Sequence, residues 1–213
     1  DGRIHRFSTN GKRSDRAGWY ICFNDEIPAG AFGCWRSGIN ETWRAGREAD
    51  LSPEQARQRR ERVAQAQRKH NADRKREQAN AAERAQRIWA EAIPATPDHP
   101  YLERKGVGPH GTRIYDGKLI VPVMDNDEII SVQKIDENGG KRFLTGGRTA
   151  ECFYLIGEPG DIVCIAEGFA TAATIREATG KAVFVAFNAG NLRPVAEAVR
   201  RQFPQADIIV CAD

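Results

Sequence analysis

Residues 161–213 read DIVCIAEGFATAATIREATGKAVFVAFNAGNLRPVAEAVRRQFPQADIIVCAD. Three short apolar runs, DIVCIA, AVFVAF and ADIIVCA, have the length and β-branched content of buried strands. Between them lie two helical segments. The first, about 170–179, is built of small residues and closed by Gly180. In the second, about 192–203, Leu192, Val195, Ala196, Val199 and Phe203 recur at helical spacing, with Asn191 placed to cap its start. Apolar strands joined by helices predict a parallel sheet covered on both faces. In such a sheet ligands collect beyond the carboxyl ends of the strands, and three polar residues fall there: Glu167, Asn188 and Asp213. A carboxylate within a strand would be costly to bury, but at the tip it stays ionised and can hold a cation. Gly168 allows a tight turn into the helix and close approach of a ligand. Acids at strand tips also occur in other doubly wound folds, so the spacing alone is not unique.

The rest of the chain sets the context. With 40% hydrophobic and 29% charged residues, the 213-residue chain has the composition of a soluble globular protein. Lys plus Arg number 32 and Asp plus Glu 29, so the net charge of +3 does not by itself name a nucleic-acid partner. The five cysteines form no CxxC pair and have no histidine at zinc-ligand spacing, which argues against a zinc ribbon. Cys164 and Cys211 sit inside apolar runs as small hydrophobes, and a reducing cytoplasm fits best. No signal peptide is evident, and no apolar run approaches the roughly 18 residues of a membrane span. A chain starting at Asp1 and stopping just after a strand reads as a fragment cut at both ends.

Upstream, three segments are expected. Residues 1–48 alternate β-prone stretches such as GWYICF and GAFGCW with NG, PAG and RSG turns, predicting a small antiparallel module. Its Trp19, Trp35 and Trp43 are expected mainly in its core, with stacking on bases as the alternative. Residues 50–91 are rich in Ala, Gln, Arg and Glu; Ser52 followed by Pro53 marks the start of a long basic helix. Lacking large apolar residues before Ile88 and Trp89, it reads as a solvated connector, with phosphate contact as the alternative. In 92–160 the runs LIVPVM, EIISVQKI and KRFL, split by DND and DENGG, predict an antiparallel meander. Asp125 and Asp127 could suggest a metal site, but turn chemistry explains them better. Residues 161–213 complete an α+β chain with its parallel-stranded domain.

These residues carry a resemblance. IAEGFATAATI, followed by a strand ending in CAD, resembles the start of a Toprim domain, the catalytic fold of bacterial-type primases, topoisomerases and certain nucleases. The resemblance implies that Glu167 is a metal ligand or acid–base group and Asp213 the first acid of an Asp-x-Asp motif, its second Asp lying past residue 213. It also implies Mg2+, with Mn2+ as a substitute. HPYLERKG, LIVPVMD, SVQKI, DENGGKRFLTGG and FYLIG are similar to the piece preceding Toprim in DnaG-type primases and in phage and plasmid primase-helicases. By position this implies nucleotide and template contacts from Lys134, Lys141 and Arg142, and more weakly Arg148, with loop contacts at Asn188 and Gly168. The first 46 residues look similar to the leading module of the same primase-helicases, without a zinc ribbon.

The expected activity is primer synthesis by metal-dependent nucleotidyl transfer on single-stranded DNA from ribonucleoside triphosphates, in phage or plasmid replication. A helicase in the same polypeptide is an expected partner, a membrane is not, and 1–213 alone is expected to be inactive. The alternatives are a Toprim nuclease or topoisomerase-like strand cleaver, although no tyrosine has a recognisable nucleophile context, and a non-catalytic single-strand-binding module. A purely structural Glu167 would cap a helix or form a salt bridge.

Overall fold

In a computed structural model of the chain, residues 2–13, 15–24, 27–46 and 52–211 are described. Asp213, the expected metal ligand, lies outside them. The chain divides into two compact units, 1–69 and 70–213.

The first unit is a four-stranded antiparallel meander in chain order: β1 (His5–Phe7), β2 (Gly18–Phe23), β3 (Ala29–Cys34) and β4 (Ile39–Arg44). The expected tryptophan core is not what forms. Trp35 and Trp43 are 68% and 41% exposed, and among the described hydrophobic residues of this unit only Ile27 is buried. The physical reason is that a small four-stranded sheet supplies, among the described residues of this unit, no second layer to cover its faces. Trp19 is half-buried, its ring 6.0 Å from that of Trp35.

Helix α1 (Pro53–Glu91) begins in this unit and ends in the second. Its first turn is fixed by a reciprocal pair: Gln55 N–H donates to Ser52 Oγ (3.3 Å), and Ser52 N–H donates to Gln55 Oε1 (3.0 Å). Most of the helix is exposed, as its composition demands, but it is more than a connector. Near its end Ala81 and Ala85 are buried, and Ala85 packs with Ile88 and Trp89 against Ile120 and Val132. Small side chains let the backbone approach the sheet, so a narrow alanine stripe replaces the wide face that the sequence lacks.

In the second unit, β5 (Ile93–Pro94), β6 (Arg113–Tyr115), β7 (Lys118–Asp125), β8 (Glu128–Ile135) and β9 (Lys141–Phe143) form an antiparallel sheet in that order, with α2 (Pro100–Lys105) between β5 and β6. The DND segment is a turn, Asn126 taking the left-handed φ of 52° between β7 and β8. The last sheet contains β10 (Tyr154–Ile156), β11 (Ile162–Ala166), β12 (Ala182–Val185) and β13 (Asp207–Cys211), ordered β10-β12-β11-β13. β11 runs parallel to both β12 and β13, as the apolar runs predict. β10 adds an antiparallel edge to β12, which short YLI did not signal.

Helix α3 (Phe169–Thr179) and the meander lie on one face of this sheet, where Phe169 and Ala172 meet Leu119, Val121, Ile135, Val183 and Val185. Helix α4 (Leu192–Gln202) covers the other, Val195 and Val199 packing on Val163, Ile165 and Phe184. Gly180 ends α3 with φ 68°, where a side chain would be strained. Among the described residues no helix is long and apolar enough to cross a membrane, and none of the five cysteines is in a disulfide.

Candidate functional site

The carboxyl ends of the three parallel strands are level. Ala166 is the register partner of both Val185 and Cys211, so the chain leaves β11, β12 and β13 along one edge. Glu167 is the first residue beyond β11 and is half-buried. Gly168 follows as the N-cap of α3, with no side-chain cap, so Glu167 does not close the helix. Among the described residues the Glu167 side chain makes no hydrogen bond and no ion pair. Asn188 lies beyond β12, exposed, its carbonyl accepting from Asn191 N–H at 3.1 Å.

The meander roofs this edge. Lys134 pairs with Arg142 and Ile135 with Lys141 in the β8–β9 register, so Lys141 shares the face of buried Ile135 and Arg142 takes the opposite one. Lys141 Nζ stands 3.5 Å from where a Cβ on Gly168 would be, directly over the turn that carries Glu167. Two residues on, Phe143 meets Phe187 edge to face at 5.8 Å. Phe187 ends the β12 run with φ 71°, an unusual conformation for a bulky residue and the kind of backbone departure that gathers at functional edges.

The expected basic residues therefore divide. Lys141 reaches the strand tips. Lys134 and Arg142 line a separate cavity of about 200 Å3 with Lys118, Asp136 and Gly140, on the face that carries Ile120 and packs on α1. There Lys134 Nζ lies 5.9 Å from the Tyr115 ring centre. Arg148 is engaged elsewhere, its guanidinium paired with the Asp125 carboxylate. Sequence reasoning missed Lys118, Phe143 and Phe187. Lys118 was within reach, since alternation from Ile120 puts it on the Lys134 face, but the long-range pairing of Phe143 with Phe187 had no local signal.

It also misplaced one side chain. Asn191 provides no side-chain cap to α4. It is buried, its Nδ2 donating to the carbonyls of Thr149 (3.0 Å), Cys152 (3.0 Å) and Ala186 (2.9 Å), while Oδ1 accepts from Glu151 N–H (2.9 Å). It thus ties the approach to β10 to the end of the β12 run. A second tie joins the segment after α2 to α3: the Glu177 carboxylate accepts from Gly108 N–H (2.8 Å) and lies 2.6 Å from His110 Nε2. The Gly108 N–H, and then His110, hold the Glu177 carboxyl below its ordinary range. Burial pushes the Tyr154 phenol up to about 12, and its hydroxyl donates to the His110 carbonyl at 2.5 Å.

The chemistry open to the edge follows from these donors. Glu167 offers hard carboxylate oxygens, uncommitted among the described residues, of the kind that suits Mg2+ or Mn2+. Among the described residues no three His, Cys, Asp or Glu side chains converge as a metal cage.

This edge agrees with a family match: the Toprim domain profile aligns with residues 162–213. Residues 162–213 are thus similar to a Toprim domain. The whole chain is homologous to two Escherichia coli proteins named DNA primase TraC, 33% identical over 233 aligned residues and 32% over 223. Both alignments cover all of this chain, which spans 21% and 15% of the lengths of those relatives. Among solved structures, one chain from bacteriophage T7 lagging-strand DNA polymerase with primase domains of two gp4 subunits, bound to an RNA/DNA hybrid and dTTP, aligns over 53% of this chain and 57% of its own. Its identity is 20% and its TM-score 0.41.

Proposed function

We propose that this chain is the Toprim-bearing portion of a DNA primase, which makes short RNA primers on single-stranded DNA by nucleotidyl transfer. The observation that carries this reading is the uncommitted Glu167 at the tip of β11 with the Lys141 ammonium over the adjacent Gly168. Glu167 and Asp213 would hold Mg2+, which when bound supplies charge neutralisation to a polyphosphate. Lys141 places a cation where a triphosphate oxygen meets that turn, positioning the nucleotide. Asn188 and Gly168 border the same edge. Lys134 and Arg142, with Lys118, face away from Lys141 and are suited to a different anionic segment, the template backbone. Arg148, already paired with Asp125, orders the β7–β8 turn and plays the smaller part.

Homology to the TraC primases supports a plasmid or phage replication setting. Five cysteines outside disulfides fit a reducing cytoplasm, and a helicase in the same polypeptide is the expected partner. The test is incorporation of labelled ribonucleotides on single-stranded template by a full-length protein carrying this chain. Glu167→Gln should abolish synthesis, and Lys141→Ala should weaken nucleotide binding. Primer synthesis that survives Glu167→Gln overturns the assignment.

A further inference from the structure

The sheet of the first unit carries aromatic rings that its own core does not use. Cross-strand register places Tyr20 opposite both His5 and Phe32, Phe7 opposite Gly18, and Trp43 opposite Gly30. Alternation along the strands then puts His5, Phe7, Tyr20, Phe32 and Trp43 on one face. His5 and Tyr20 are stacked at 5.0 Å with 15° between planes, and Phe7 is 6.2 Å from Tyr20. Phe7, Tyr20, Phe32 and Trp43 are between 41% and 46% exposed. The rings lie down on the sheet because glycines leave room beneath them. A Cβ at Gly18 would stand 2.6 Å from the Phe7 ring, and one at Gly30 2.7 Å from the Trp43 indole.

We propose that this face is a stacking platform for single-stranded nucleic acid. Flat rings on a sheet offer π-faces at low entropic cost, and every base has a π-face to match. Charge supplies the complement. The β1–β2 loop and β3–β4 turn, at one end of the sheet, contain Lys12, Arg13, Arg16 and Arg36 against Asp15. Arg36 pairs with Asp15 at 2.7 Å, while Lys12, Arg13 and Arg16 make no ion pair among the described residues. A cationic rim beside uncovered aromatics suits a phosphate backbone with splayed bases better than it suits an apolar protein surface. The inference does not depend on Glu167 or on catalysis.

The test measures binding of chain 1–213 to fluorescent oligothymidylate and oligouridylate of about 20 nucleotides at low salt. Binding should quench tryptophan fluorescence, and Tyr20→Ala, Phe32→Ala and Trp43→Ala should each weaken it roughly five- to 150-fold. Tyr20→Phe and Trp43→Phe, which keep a ring, should restore most of the affinity. Circular dichroism checks that each variant folds. The two oligomers decide between DNA and RNA, and binding of either that weakens on loss of the rings supports the platform. No binding to either, or affinity that falls with Lys12→Glu and Arg13→Glu but not with loss of the rings, overturns it. So does concentration-dependent dimerisation that Phe32→Ala abolishes without quenching by either oligomer.

Discussion

Replacing Asn191 should unseat the strand edge on which Glu167 stands. The amide carries two protons shared among three carbonyls, those of Thr149, Cys152 and Ala186, and it accepts one backbone N–H from Glu151. Asn191→Ala removes three or four net hydrogen bonds at about 0.5–1.5 kcal/mol each and leaves acceptors without donors; partial relaxation and water entry offset some of this. A loss of about 3 kcal/mol is the reasonable expectation. At about 2–4 °C per kcal/mol for a domain of this size class, the melting temperature should fall by about 6–12 °C. Urea titration followed by circular dichroism should show a lower midpoint with an unchanged slope. Asn191→Asp is the discriminating variant, because aspartate caps helices as well as asparagine does and suits a helix N-terminus. In this site it loses both N–H donors and sets a carboxylate against carbonyl oxygens, so it should destabilise at least as much as alanine. An Asp variant as stable as the parent, or an Ala variant losing less than about 1 kcal/mol, would show that Asn191 acts as a cap and that the hydrogen-bond reasoning is wrong.

Two further outcomes follow from shifted acidities. Glu177 is held below its ordinary 4.5 by Gly108 N–H and His110, so its contribution is fully present above that value and is lost as pH falls through the depressed one. The melting-temperature gap between the parent and Glu177→Gln should therefore be widest above pH 4.5 and close in stronger acid, as a pH series of melts would read. Hydrogen bonds from Ser37 lower the Cys34 thiol to about 7. Its alkylation by iodoacetamide should rise with a midpoint near pH 7, and Ser37→Ala should move that midpoint up towards 9.0.

The strand tips were legible because their signal is local. Apolar runs DIVCIA and AVFVAF, the closing Gly180 and the acid directly after the first run fix β11, α3, β12 and the placement of Glu167 without reference to distant residues. The meander was legible for the same reason, through DND and DENGG turns between alternating runs. What was not legible depends on partners remote in sequence. YLI is too short to announce a strand, and β10 exists because β12 offers an edge. Asn191 has the identity and position of a cap, yet three carbonyls around it, two of them on an earlier segment, outcompete the helix end for its amide. The tryptophans of the first unit illustrate the converse error: hydrophobicity predicted a core, but burial needs a second layer, which this sheet lacks among the described residues.

The pleat of the β8–β9 hairpin makes chain length a sorting device. Neighbouring Lys141 and Arg142 take opposite sides of the sheet because side chains alternate along a strand, and the count of residues between Ile135 and Lys141 decides which of them takes which side. Adding or deleting one residue in the Asp136–Gly140 turn, with β9 pairing retained, would exchange their addresses and turn Phe143 away from Phe187. Substitutions within that turn should thus be better tolerated than any single insertion. Across related chains, its length should vary less than its composition.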